Sequence, residues 1–364
     1  MTQLFGKLNA LQAVAKFQTT GKAEILKKIL SVVSAGAIAA TALVLGVSPA
    51  ANAAGALKVA HIPKLGTIGY FQAADKGVQR ACAELKATCA YRGPAEITAA
   101  AQVKEINAAV QRGDNVILVA ANDTNALCPA LKAAQKKGVT VVAYDSDVQG
   151  SCRSIFVNQA SSEGIGSALA DDAAALAGGS GDIAVLSTTP TATNQNVWID
   201  FMNKRLAAKY PNIKVVATVY GNDQPEPSTT ETQGLLQKYP NLKVIVAPTS
   251  IGIVAAAKYV DSSASKGKVF VTGLGLPSDM SAYVKSGTAH AALWDVENFG
   301  YASVYAANSI RNGGTKTAIG TVFKSGPGDK GLKSRTVTKG AVGNELILGP
   351  ALIFTKSNID NYHF

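Results

Sequence analysis

Histidine is scarce in this chain, with three in 364 residues. They are scattered at His61, His290 and His363, so no pair has the spacing of metal ligands on one element. Cysteine is nearly as sparse, with four residues and no C-x-x-C pair, which argues against a zinc or cluster site. The catalytic signatures are missing too: no G-x-S-x-G elbow, no H-E-x-x-H and no P-loop. A fragment of a dinucleotide fingerprint stands at Gly273-x-Gly275, but Ser278 occupies the place of the third glycine and the segment lies late in the chain. These absences point away from an enzyme, and no metal or other cofactor is expected.

At the N-terminus, Lys22, Lys27 and Lys28 precede an uncharged run from Ile29 to Val47, followed by Ala51-Asn52-Ala53. A basic stretch, an apolar core and an A-x-A site make residues 1–53 a secretory signal peptide. A membrane anchor is the competing reading, since about 19 apolar residues could span a bilayer; the Ala- and Ser-rich run and the small residues after it favour cleavage. The first cysteine is Cys82, so no lipidation site follows the leader. The mature chain is expected to be soluble and periplasmic. The leader carries Lys7, Lys16, Lys22, Lys27, Lys28 and Glu24, so the formal charge of +11 falls by 4 to +7 on its removal. That charge is dispersed, which suits solubility and not nucleic-acid binding. Export allows disulfides among Cys82, Cys89, Cys128 and Cys152. Three pairings exist; proximity favours Cys82 with Cys89, leaving Cys128 for Cys152, against the alternative of four buried thiols.

After the leader, apolar runs alternate with helix-period segments. LKVAHI (57–62), NVILVA (115–120), VTVVAY (139–144), DIAVLS (182–187), IKVVATVY (213–220), LKVIVAP (242–248) and KVFVTG (268–273) fit strands buried on both faces of a parallel sheet. Between the first of these, Val78, Cys82 and Leu85, then Val103, Ile106 and Val110, form helix stripes that should stop near Gly113 and Gly138. The pattern is α/β with right-handed crossovers. Some nine strands suggest two Rossmann-like lobes, with the break at SIFVNQASSEG (154–164). The expected division is 57–157 plus about 296–340 for the N-terminal lobe and 158–295 plus about 345–364 for the C-terminal lobe. A Gly/Lys-rich hairpin or loop is expected around KSGPGDKGLKSRT, and ELILGPALIF (345–354) should re-enter a sheet.

Ligands of open parallel sheets bind beyond the carboxyl ends of the strands. Those positions hold Lys64, Tyr70 and Phe71 after the first strand, Asn122 and Asp123 after NVILVA, and Asp145 and Asp147 after VTVVAY. Asn194, Gln195 and Trp198 follow DIAVLS, Thr249 and Ser250 follow LKVIVAP, and Trp294 and Asp295 follow HAAL. Acids, amides and aromatic faces together suit an uncharged, hydroxyl-rich small molecule. Each position has a plainer reading: Asp123, Asp147 or Asn194 as helix caps, Trp198 as core, Tyr70 and Phe71 split between ligand and core.

Through HIPKLGTIGYF, ALCPALKAAQKKGVTVVAYDSD, CRSIFVNQ, TTPTATNQNVW, VIVAP, LWDV and NIDNYHF, the chain resembles periplasmic sugar-type solute-binding proteins of the type I fold. It is most similar to those that bind autoinducer-2 for the Lsr ABC importer, with rhamnose- and ribose-binding proteins next. The resemblance implies a monomer of two lobes on about three hinge strands, closing on a monosaccharide or autoinducer-2 and docking on an inner-membrane ABC permease; service to a chemoreceptor is compatible with it. The family's ligand residues fall on Lys64, Asp145, Gln195 and Pro248. Two positions depart: an aspartate of the family is Asn194 here, and an alanine is Ser250. Losing a carboxylate removes a strong acceptor for a polyol, and Ser250 adds bulk and a hydroxyl. A sugar-sensing repressor of the same fold would open with a helix-turn-helix in place of the leader.

Overall fold

The computed structural model describes residues 56–349, 351–362 and 364; the expected leader and His363 lie outside them. Short β-branched runs become β1 (Lys58–Ile62), β2 (Thr88–Tyr91), β3 (Val116–Val119), β4 (Thr140–Tyr144) and β5 (Ile155–Asn158), separated by α1 (Gly69–Glu84), α2 (Ala99–Gln111) and α3 (Cys128–Lys136). α2 and α3 end just before the expected stops Gly113 and Gly138. Every residue of β3 is buried, as are the last four of β1 and of β4, because helices cover both faces of the sheet. Ile62, Ile106, Ile117 and Leu131 fill one face; Val59, Val78, Leu118 and Val142 fill the other.

The second lobe repeats the plan. α4 (Ser162–Leu176), β6 (Gly181–Ser187), α5 (Thr193–Lys209), β7 (Ile213–Tyr220), α6 (Pro225–Lys238), β8 (Leu242–Ala247), α7 (Ser250–Ser262), β9 (Phe270–Gly273) and α8 (Pro277–Ser286) build a parallel sheet of order β7-β6-β8-β9. β10 (Ala291–Leu293) follows and pairs antiparallel with β15 (Leu352–Phe354). Between these two strands the chain returns to the first lobe as α9 (Val296–Arg311), the hairpin of β11 (Val322–Lys324) with β12 (Ser334–Thr336), and β13 (Thr338–Lys339) with β14 (Asn344–Ile347). The first sheet then has the order β13-β14-β5-β4-β3-β1-β2. The chain passes between the sheets three times, at residues 159–161, at residues 294–295 and after Leu348.

The sequence expectation that everything from about 345 belongs to the second lobe is corrected here. β14 runs parallel to β5, with Glu345 opposite Phe156 and Leu346 opposite Val157, so ELILGPALIF divides between the two sheets. The reason is burial: β14 covers the outer edge of β5, and Leu346 is enclosed there.

Local devices hold the loops. Cys82 is bonded to Cys89 across the end of α1, and Cys128 to Cys152, which clamps the segment after β4 onto α3; their Cα separations are 6.2 and 5.3 Å. Asp147 and Arg153 form a buried ion pair, Nη2 to Oδ2 2.6 Å, and Arg153 also donates to the Asn344 carbonyl. The Gly/Lys-rich segment is pinned at Asp329, which accepts from Asn298 of α9 and from Arg335 at 2.8 and 2.7 Å. His61 is a core residue, held between Asp75 and Tyr144 at 2.8 and 2.6 Å.

α1 and α9 touch backbone to backbone. A Cβ on Gly77 would overlap the Glu297 carbonyl, and one on Gly300 would overlap that of Ala74. Only glycine permits this approach. Gly77→Ala is therefore expected to push the helices apart at a cost of about 1–3 kcal/mol. Gly234→Ala, in α6 with no neighbour in reach of a new Cβ, should stabilise by about 0.5–1 kcal/mol through helix propensity. Urea unfolding of the two variants checks the opposite signs; a neutral Gly77→Ala would mean the helices are not locked together.

Candidate functional site

The carboxyl ends of β1, β4, β6, β7, β8 and β10 converge on one cleft between the lobes, holding about 390 Å³ of empty space counting its mouth. Its wall includes Lys64, Tyr70, Phe71, Asp145, Asn194, Gln195, Pro248, Ser250 and Trp294 from the sequence expectation. Trp198, Thr249, Asp223, Ile68, Leu274 and Leu293 complete it.

Asp145 sits at φ 62°, a left-handed position that aspartate tolerates better than most residues. That kink ends β4 and puts its carboxylate at the centre of a network. Lys64 Nζ lies 3.4 Å from Asp145 Oδ2, with both side chains over nine-tenths buried. Tyr70 donates its hydroxyl to Asp145 Oδ1 at 3.0 Å, and the Trp294 indole donates to the Tyr70 oxygen at 2.9 Å. Burial foremost, and then the charge of Asp145, raise the Tyr70 pKa well above the ordinary phenol value, so Tyr70 is a fixed neutral donor.

The second lobe reaches the same network through the first turn of α5. Asn194 Oδ1 accepts from Lys64 at 3.2 Å, while its Nδ2 donates to Asp145 Oδ2 at 3.4 Å and to the Asp145 carbonyl at 3.3 Å. Asn194 is thus a cross-lobe contact and not the helix cap, a place taken by Ala192. Gln195 Oε1 is held by the Ser187 hydroxyl at 2.7 Å and the Thr188 amide at 3.0 Å, which leaves its NH2 group for the cleft. Trp198 is 2% exposed and packs edge-on to Trp294 at 6.1 Å. Its Nε1 donor has no partner among the described residues. A buried donor without an acceptor is costly unless something in the cleft supplies one.

Two expected residues stand behind the site, a correction to the sequence reading. Asn122 donates to the Lys64 carbonyl at 3.0 Å, so it fixes the loop that carries Lys64. Asp295 caps α9 by accepting from the Asn298 amide at 2.8 Å. Asp123 accepts from the Asn125 and Ala126 amides and so closes the turn before α3, whose cap is Leu127, and Asp147 is spent on Arg153. Tyr70 and Phe71 both line the cleft instead of splitting.

The sequence reading overlooked Asp223. It lies three residues past the end of β7, so the rule that found the others would have reached it there. Thr249 donates to its Oδ1. Burial raises its pKa to about 6 against the opposing pull of Lys64, with Asp145 pushing the same way as burial. The cleft therefore holds one ammonium and two carboxyl groups.

A family model described as a periplasmic binding protein domain matches residues 59–315. An ABC transporter solute-binding protein from Clostridium phytofermentas with bound L-rhamnose is 38% identical, with a TM-score of 0.81 over 84% of this chain and 98% of that one. A sugar ABC transporter protein from Actinomyces odontolyticus is 40% identical, with a TM-score of 0.67 over 85% of this chain and 98% of that one. LsrB from Clostridium saccharobutylicum in complex with AI-2 is 29% identical, with a TM-score of 0.77 over 84% of this chain and 99% of that one.

Removing one member of the Lys64–Asp145 pair strands the other. Lys64→Met and Asp145→Asn should each destabilise the ligand-free protein, the lysine variant by about 3–5 kcal/mol. The double variant should cost less than the sum by about 1–3 kcal/mol. Denaturant unfolding of the four proteins reads this coupling directly; simple additivity would show that the two charges do not sense each other.

Proposed function

The chain belongs to the periplasmic binding protein family, whose members are solute-binding proteins and not enzymes, and we propose that it captures a neutral monosaccharide for an ABC importer. The observation that carries this reading is the convergence of Lys64, Asp145 and Asn194 from two lobes, beside an unpartnered Trp198 donor. A polyol offers hydroxyls that both donate and accept, which is what a lysine, a carboxylate, an amide and an indole require together. Ile68, Phe71, Leu274 and Leu293 offer apolar surface to a C–H face or a methyl group. This favours a deoxyhexose of the kind held by the L-rhamnose-bound relative.

Capture works by population shift. A ligand that touches Lys64, Tyr70 and Asp145 on one side and Gln195, Trp198 and Ser250 on the other gains its full contacts only when the lobes are together, so it favours the closed form. The three crossings, at 159–161, at 294–295 and after Leu348, would act as the hinge. The closed monomer then presents a surface that differs from the open one, which a permease in the inner membrane can read. The leader, with its A-x-A site, would deliver the chain to the periplasm.

Autoinducer-2 is the second reading, favoured by Lys64, Asp145, Gln195 and Pro248 and by the similarity to LsrB. Asn194 and Ser250 weigh against it, because the first lacks the carboxylate and the second narrows the cleft.

A thermal-shift screen of refolded, ligand-free mature protein separates the two. At a hundredfold excess over Kd a ligand stabilises the native state by about 2.7 kcal/mol, several degrees in Tm. A shift with L-rhamnose, ribose, galactose or arabinose and none with autoinducer-2 is expected, and Asp145→Asn should abolish it. A shift with autoinducer-2 alone would overturn the monosaccharide reading. Asn194→Asp with Ser250→Ala should then raise affinity for autoinducer-2.

A further inference from the structure

Asp223 leaves β7 through two consecutive left-handed residues, Asn222 at φ 54° and Asp223 at φ 48°. Asparagine and aspartate tolerate that conformation better than most residues, and hydrogen bonds fix it here: the Gly221 amide donates to the Ser187 carbonyl at 2.9 Å, and the Asn222 amide to the Thr188 carbonyl at 2.8 Å. The turn is thereby fastened to the end of β6, beside Gln195. Thr249, itself 5% exposed, engages one carboxyl oxygen. The other oxygen accepts no hydrogen bond among the described residues, and the residue lines the cleft. Lys64 from the loop after β1 and Asp145 from the end of β4 are the charged groups that face it.

We propose that Asp223 is a specificity-determining ligand acceptor, the second carboxylate of the cleft, which compensates for the amide at position 194 by receiving a ligand hydroxyl on its free oxygen. Asp145 and Asp223 then hold hydroxyls from opposite lobes around a single lysine. The consequence for substrate class is sharp. A neutral polyol supplies two donors and adds no charge, whereas a sugar acid or sugar phosphate brings a third anion against one cation and is rejected. Loss of the Asp223 charge weakens the grip, because a charge-assisted acceptor becomes a neutral one.

This inference rests on the sugar-site reading, and one set of titrations separates the two. Calorimetry of refolded mature protein would use L-rhamnose, autoinducer-2 and a uronic acid, at about pH 7.5 and about pH 5, either side of the carboxyl pKa of about 6. Wild type should bind a neutral ligand, ignore the uronic acid and lose about tenfold in affinity at the lower pH. Asp223→Asn should lose a comparable factor at the higher pH and lose the pH dependence, with its circular dichroism unchanged; Asp223→Glu should keep the pH dependence. Equal affinity in Asp223→Asn, or a wild-type affinity indifferent to pH, would overturn the role of Asp223 alone. A wild type that binds no neutral ligand would overturn the sugar-site reading and this inference with it. The wild-type pH comparison needs no variant and stands even if Asp223→Asn fails to fold.

Discussion

A single buried ammonium governs the cleft. Lys64 is enclosed with its side chain over nine-tenths covered, and a lysine is kept there only in the company of negative charge and hydrogen-bond acceptors. Asp145 at 3.4 Å and the Asn194 amide oxygen at 3.2 Å supply both. From that requirement the surroundings follow. Asp145 must turn into the left-handed region to reach the lysine, Tyr70 must stay protonated to donate to it, and Trp294 must hold Tyr70 in place. Asn122, behind the wall, fixes the backbone of the lysine loop. Because Asn194 belongs to the other lobe, the same charge that organises one side of the cleft also draws the second toward it.

The two lobes divide the chemistry. The first lobe offers charge in the form of Lys64 and Asp145, and an aromatic hydroxyl. The second offers amides, hydroxyls and an indole from Asn194, Gln195, Thr249, Ser250 and Trp198, with Asp223 as its own acid. In the closed form proposed above, a ligand meets both sets of groups at once, which is what would favour that form.

The parallel strands were readable because continuous β-branched runs of four to six residues are a local signal, and the strand-end rule turned them into a list of positions at the cleft. Lys64, Asp145 and Gln195 do line the cleft, because their place depends on the strand immediately before them. The rule placed Asn122 and Asp295 at the cleft wall, which neither lines: Asn122 turns to the Lys64 carbonyl, a partner distant in sequence that no local pattern announces, whereas Asp295 caps the helix that begins immediately after it. Asp147 is drawn to Arg153, a few residues on. β14 was placed in the wrong lobe because two three- or four-residue apolar strands separated by a glycine and a proline look alike, and only the open edge of β5 distinguishes them. Asp223 was missed because it is itself a left-handed position of the turn after β7, where an aspartate reads as turn chemistry.

The contact of Gly77 with α9 bears on how the chain is made. The first lobe is assembled from segments at both ends: α1 near the start packs on α9, and β5 is completed by β14, roughly the last twentieth of the sequence. A nascent chain that has emerged only through β5 lacks both partners, so the α1 face that packs on α9 and one edge of β5 stay uncovered until late in synthesis. Contacts so distant along the chain also form slowly. The compact form of the first lobe therefore waits on segments that the chain supplies last.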